Sequence, residues 1–377
     1  MLSGHYPDVL SVSILAVRRR NSVAIQGKFH MMRNCAEIWG GSDITDSLLS
    51  TVIVRDVLYI PRDQAISAPA CDHTWGCYDI DGNIIENSVY KRGVDRAAVC
   101  QTLTYIPRQA YTEISSSFLF YGGLLHNEYG HFIISTLSRL WALQYFAEVP
   151  IVVFHSHMSV EEIFKVPLIL EIFEAIGIKK SNCAVFDCPV IVKSVMFAGE
   201  AMIEQHSATP EFIKFTKNIG NKLGQSRSKQ YRTQSPKYVY FSKERLKNGV
   251  RNISNEAEVS NALSKMGVII VYPESLSVSE QIDLFNRSSA SISLLGSVLH
   301  GSAFASRKCT LIGYSHIDSV NSNFVIIDKL KGNNALYLYG EDYIYEIEKQ
   351  EGFSQTLRIK NPGLMAEELF DIALKNS

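Results

Sequence analysis

No sign of charge dominates the 377-residue chain: 37 lysines and arginines face 38 aspartates and glutamates, for a formal net charge of −1. That argues against bulk nucleic-acid binding, which needs a broad basic surface. No apolar run approaches the roughly 20 residues that cross a bilayer. The opening "MLSGHYPDVLSVSILAVRRR" puts its arginines after the apolar stretch, whereas a secretory leader puts them before it. The seven cysteines are scattered and odd in number. Cys71/Cys77 and Cys183/Cys188 lie close together, but neither pair has zinc-ligand spacing or a second ligand pair. They read as free thiols in a reducing cytosol. There is no internal repeat and no low-complexity tract. No G-x-G-x-x-G follows a predicted strand, which disfavours a dinucleotide-dependent oxidoreductase.

What is present is a globular composition, 46% hydrophobic and 20% charged, at a length that suits two domains. The first 115 or so residues carry β-branched and aromatic runs: "DVLSVSILAV", "STVIVRDVLYI" and "SSSFLFYGG". The rhythm then changes. "GHFIISTLSRLWALQYF" repeats apolar residues at helical spacing through Ile133, Leu137, Leu140 and Trp141. "VPIVVFH" and "VIVKSVMFAG" read as strands. "VEEIFKVPLILEIFEAIGI" reads as a helical segment that Pro167 breaks or kinks, and "TPEFIKFTKNIGNKLG" as a Thr-capped helix. A polar stretch, "GQSRSKQYRTQSPK", lacks apolar periodicity and reads as a linker. Beyond it, strands ("KYVYFS", "VIIVYPE", "ASISLLG", "CTLIGY", "NFVIID") alternate with helices, and "PGLMAEELFDIALKN" closes the chain as an amphipathic helix.

That alternation predicts a parallel sheet wrapped by helices. The expected organisation is an N-terminal domain over 1–225, β-rich at first and α/β from about 118. A linker over 226–236, a C-terminal α/β domain over 237–360 and a closing helix over 361–377 follow. Two such domains enclose a cleft, and open α/β sheets bind ligands at the carboxyl ends of their strands. "ASISLLG" ends at such an edge. Gly296 and Ser297 there fit two readings, an anion site at a helix N-terminus or a tight turn with a plain N-cap.

Three stretches in order carry a resemblance. They are "YGHFIISTLSRLWAL", with Gly-His-Phe and Ser-Arg-Leu-Trp; "YFSKERLKNGVRNISNEAEV"; and "YPESLSVSEQIDLFNRSSASISLLGSVLH", with Pro-Glu, Glu-Gln and Gly-Ser-x-Leu-His. Together, from about Gly122 to Gly313, they resemble glycosyltransferase family 61, in its bacterial capsule and lipopolysaccharide branch. The resemblance implies a GT-B-like pair of Rossmann-like domains facing a cleft. It also implies a nucleotide-sugar donor, taken as UDP-linked, and inversion at the anomeric carbon. The chain departs from the pattern in three places. Ser135 stands where bacterial members often have an acid, Ser242-Lys243 where many have Ser-Arg, and Leu294-Leu295 where others have His-Gly.

A metal-free transferase must meet the charge of the leaving diphosphate with cations and amide dipoles. Lys243, Arg245 and Arg251, following a strand end with Ser242, are candidates. Gly296, Ser297 and His300 are also candidates, with His300 one turn after Ser297. Glu274 follows "VIIVY", where a carboxylate can hold ribose hydroxyls. Glu256 and Gln281 sit on helices and suit structural roles. For the base that deprotonates the acceptor hydroxyl, the candidates are His131 and Glu128. His131, Ser135 and Ser138 form a polar stripe on one helix face.

Two patterns read as structural. Asp79 and Asp81 in "YDIDG" match a metal motif of other transferases but sit in a hairpin turn sequence. His155 and His157 in "FHSH" lack a third ligand. The expectation is an inverting, metal-independent glycosyltransferase without a cofactor. It would act on a glycan or lipid-linked glycan acceptor in surface polysaccharide synthesis. Nucleic acid is not expected as a partner, and the setting is cytoplasmic with peripheral membrane contact. The alternative is a non-catalytic nucleotide- or glycan-binding member of the same fold.

Overall fold

The computed structural model describes residues 32–62, 75–95, 97–98, 101, 103–104, 111–114, 118–225, 236–246, 250–341, 343–349 and 354–377. The "DVLSVSILAV" run and the linker up to residue 235 lie outside them. The architecture is mixed α/β, built on two principal sheets.

The first sheet contains β1 (Thr51–Ile60), β2 (Gly76–Tyr78), β3 (Leu119–Leu124), β4 (Ile151–His155), β5 (Cys183–Ala184) and β6 (Val190–Ala198). Their order is β5-β4-β3-β6-β1-β2. β3 to β6 pair parallel, whereas β1 and β2 pair antiparallel. The β-rich start thus supplies the antiparallel margin of an otherwise parallel sheet. On one face pack α1 (Pro167–Ile176), α2 (Pro210–Gln225) and a helical run over 129–145. On the other face Val57, Tyr59, Cys77 and Ile85 close over Tyr121 and Phe197. The expected break at Pro167 is real: one helix ends at Ile163, and Pro167 opens the next at its first position.

The second sheet contains β7 (Tyr238–Phe241), β8 (Ile269–Val271), β9 (Ala290–Leu294), β10 (Thr310–Ser315) and β11 (Asn334–Tyr339). All five pair parallel, in the order β8-β7-β9-β10-β11. This is the 2-1-3-4-5 arrangement, whose switch point falls between β7 and β9. α3 (Glu256–Lys265) and α6 (Pro362–Asn376) cover one face. α4 (Val278–Arg287) and a 3-10 helix over Ser297–Phe304 cover the other.

One expected strand is a helix. "NFVIID" lies inside α5 (Ser322–Lys331). A short apolar run does not declare its own period. The flanks decide it: the Asn321 side chain caps the N-terminus, and Gly332, with φ +66°, ends the helix.

The two halves share a core. α2 lies against the 3-10 helix so closely that a Cβ on Gly220 would stand 1.9 Å from the Phe304 carbonyl oxygen. Thr216 Oγ1 donates to the Ala303 carbonyl at 3.0 Å beside it. A short N-terminal strap also crosses over. Arg33–Asn34 joins β11 antiparallel, while Asp43–Ile44 pairs with Ser207–Ala208. We expect Gly220→Ala to destabilise the fold by about 1–3 kcal/mol, the usual cost of overpacking against unyielding atoms. Gly224→Ala, on the same helix with nothing within 4 Å, should not destabilise it. Urea unfolding of the two variants checks this.

Candidate active site

The 129–145 run is helical as its periodicity predicts, but not uniformly. It is α-helical over Tyr129–His131, π-helical over Phe132–Thr136, α-helical again over Leu137–Leu140 and 3-10 over Trp141–Tyr145. π turns concentrate at functional sites, and this one carries Ser135 of the polar stripe and follows directly on His131. His131 Nδ1 lies 3.4 Å from Glu204 Oε2, and Ser135 Oγ donates to the same oxygen at 3.2 Å. Ser138 is not part of the group: its hydroxyl donates to the Ser135 carbonyl at 2.6 Å.

Glu204 is buried, and nothing in the sequence pattern marks it. Tyr90 donates to its Oε2 at 3.0 Å, and Arg92 approaches Oε1 at 3.2 Å. Burial pushes the carboxyl up, but the His131 contact, the Arg92 charge and the Tyr90 hydroxyl outweigh it and hold it at about 2. The residue that follows, Gln205, has φ +56°. That conformation is uncommon outside glycine and frequent at functional sites. Its amide is held by Asn323 Oδ1 at 2.7 Å and its carbonyl by the Gly41 amide of the strap at 2.9 Å.

The contact with Glu204 raises His131 above the ordinary imidazole value, against the opposing effect of burial. Neighbouring imidazoles go the other way. Burial lowers His126 to about 3 and His300 to about 4. His300 stacks on Phe324 with centroids 4.4 Å apart. Neither of its ring nitrogens, both shut off from solvent, has a hydrogen-bond partner among the described residues. The Gly-His and Gly-Ser-x-x-His motifs meet here. A Cβ on Gly130 would stand 3.0 Å from Ser297 Cβ and 3.4 Å from His300 Nδ1, so glycine permits the approach. Glu128 faces solvent, its side chain 58% exposed and 3.8 Å from His126.

On the other side of Gly130 opens a cleft of about 300 Å3 at the switch point of the second sheet. Ser242 and Lys243 enter it from the end of β7, Glu274 from beyond β8, Ser297 from beyond β9, and Asn127 and Tyr129 from the first half. The Lys243 ammonium lies against Gly296, and burial lowers its pKa. Glu256 accepts the Lys243 amide and the Tyr240 hydroxyl, each at 2.9 Å; burial, the larger influence, raises its carboxyl. Arg251 adds its charge nearby and is itself lowered by burial. His316, beyond β10, was not singled out in the sequence; burial and then Arg251 lower it. Glu256 and Arg251 act on Lys243 in opposite senses, the carboxylate raising it and the guanidinium lowering it. Arg245 does not join them and lies over the Tyr272 ring at 3.7 Å. Gln281 holds the cleft wall by donating to the Pro273 and Leu276 carbonyls at 3.1 and 3.4 Å.

The structural readings of the two remaining patterns fit the geometry. Asp79 Oδ1 accepts the amides of Asp81 and Asn83 at 3.0 and 2.8 Å, capping a turn. The Tyr121 hydroxyl and the Ile60 carbonyl occupy the two nitrogens of His155, both at 2.9 Å. Among the described residues no three His, Cys, Asp or Glu side chains gather as a metal site.

Residues 129–312 match the family model described as Glycosyltransferase 61, just under half of the chain, and the match supports that family for this region. It takes in His131, Glu204, Lys243, Arg251 and His300 and leaves out Tyr90, Arg92 and His126. No curated protein matches the chain.

The ion pair has a pH signature. The lowered Glu204 contributes stability above its unfolded value of 4.5 and loses it as pH falls towards about 2. The raised His131 contributes below its unfolded value of 6.5 and loses it as pH rises through its folded value. The stability difference between the native protein and Glu204→Gln should therefore be greatest between pH 4.5 and 6.5. The buried His126 and His300 disfavour acid in both proteins. Melting temperatures across pH check it; a flat difference would count against the pair.

Proposed function

We propose that the protein is an inverting glycosyltransferase. Its donor is a nucleotide sugar, taken as UDP-linked, and its acceptor a hydroxyl of a glycan or lipid-linked glycan in surface polysaccharide synthesis. The observation that carries this reading is the pairing of a buried His–Glu couple with a lysine lining a cleft at a sheet switch point, the two meeting across Gly130 and Ser297. In a GT-B-like arrangement residues 1–225 hold the acceptor, residues 237–360 the donor, and 226–236 connect them. The setting is the cytoplasmic side of a membrane surface; no helix among the described residues is long and apolar enough to cross a membrane.

Glu204 keeps the proton of His131 on Nδ1, which leaves Nε2 as the base. The acceptor oxygen attacks the anomeric carbon from behind, and its proton passes to Nε2. The bond to the diphosphate breaks, and its electron pair leaves with the nucleoside diphosphate. Lys243 and Arg251 stabilise that charge, with Ser242, Gly296 and Ser297 lining the phosphates and Glu274 on the ribose side. His300 stands behind Ser297. Glu204 supplies the acid that the family pattern leads one to seek at Ser135, which removes the main motive for a purely binding member.

Lys243→Ala should weaken nucleoside-diphosphate binding by roughly 10- to 100-fold, the scale of a lost charged hydrogen bond. His131→Ala should leave that binding nearly unchanged and lower turnover by about 10²–10⁴. Titration calorimetry and product release by the two variants check this. Turnover in EDTA should equal that in its absence; a loss restored by manganese or magnesium would overturn the metal-independent chemistry. A thermal-shift screen of nucleotide sugars tests the donor, since a ligand at 100 times its Kd stabilises by about 2.7 kcal/mol.

A further inference from the structure

Residues 90–93 lie outside the matched region, yet they bind Glu204 through both side chain and backbone. The Tyr90 hydroxyl donates to Oε2 at 3.0 Å and the Arg92 guanidinium meets Oε1 at 3.2 Å. The Gly93 amide donates to the Glu204 carbonyl at 2.9 Å, and Arg92 forms a parallel bridge with Glu204. Arg92 Nε also donates to Gln205 Oε1 at 3.4 Å, on the residue with positive φ. The segment is itself anchored from the matched region. Arg139, of the Ser-Arg-Leu-Trp motif, donates to the Asn87 and Val89 carbonyls at 3.0 and 2.6 Å.

We infer that Tyr90 and Arg92 are positioning residues of the base. They fix the Glu204 carboxylate, and Arg92 shares its charge so that His131 gives up its proton more readily than it would as the sole cationic partner. The inference rests on His131 acting as the base proposed above.

The physical argument is a division of one negative charge between two cations. A carboxylate with His131 as its sole cationic partner would hold the imidazolium tightly and leave no base. Guanidinium is permanently charged, so Arg92 competes for Glu204 at every working pH, and it acts to lower His131. Tyr90 and Ser135 occupy acceptor sites of the oxygen that faces His131. The groups facing His131 from its surroundings are Glu204, Tyr90, Arg92, His126, His300 and Glu128 of its own N-terminus. Of these, Arg92 is a cation at every working pH, and its side chain, 36% exposed, is open to replacement without leaving a cavity.

The test follows the His131 ring resonances by NMR against pH, assigned by their loss in His131→Ala. In Arg92→Met, His131 should titrate about one pH unit higher than in the native protein, the lower end of what a nearby charge does. Arg92→Lys, which keeps the charge, should restore most of the native value. Tyr90→Phe should move it upward as well, by less, and keeps the test open if Arg92→Met does not fold. The acid limb of kcat/KM should move with the titration; a merely structural segment would lower the rate without moving the limb. A His131 that titrates alike in the native protein, Arg92→Met and Tyr90→Phe overturns the inference. This measurement needs neither donor nor acceptor. A native-like turnover in His131→Ala would instead sink the assignment of the base, whatever the titration shows.

Discussion

A carboxylate shut away from water must be met by donors, and Glu204 is met by four. They come from two stretches, Tyr90 with Arg92 and His131 with Ser135, while the backbone amide of Gly93 holds the Glu204 carbonyl behind. Leaving such a group unpaired costs more than any single contact returns. The β-rich start, the π turn and the strap that grips Gln205 therefore stand or shift together. The same demand accounts for a backbone at φ +56° in a residue other than glycine. The Asn323 side chain and the Gly41 amide hold it on either side.

The second constraint is the switch point. Between β7 and β9 the chain changes direction around the sheet, and a crevice opens that no crossover helix fills. Lys243 projects there from the end of β7, with Glu256 accepting its amide and the Tyr240 hydroxyl behind it. The proposed donor site and the proposed base are thus set by different physics. One is a topological gap lined by a cation; the other is a buried anion with its donors. They are joined where Gly130 meets Ser297.

The legible parts of this arrangement were those with a period. Alternating apolar runs gave the strands β7 to β10 and the helices between them. Helical spacing put His131 and Ser135 on one face, and Pro167 marked a break. "NFVIID" misled because six apolar-rich residues fit a strand as well as a helix, and the deciding Asn321 and Gly332 lie outside the run. Glu204 was silent for a different reason. It stands alone in "AMIEQHS", and its partners lie more than sixty residues upstream. Burial and pairing across such distances leave no spacing to read. The positive φ at Gln205 gave no signal either, since no glycine or asparagine announces it.

The π-helical turn over Phe132–Thr136 amounts to one residue more than an α-helix would need between two fixed ends. Below it, Leu137, Leu140 and Trp141 are locked in the core; above it, His131 reaches Glu204. A chain one residue shorter across this turn could relax to regular α-helix and keep every apolar contact below. It would turn the first part of the helix by about 100° relative to the second, and His131 would face away from its carboxylate. The extra residue sets an angle between the half of the helix anchored by Leu137, Leu140 and Trp141 and the half that carries the proposed base.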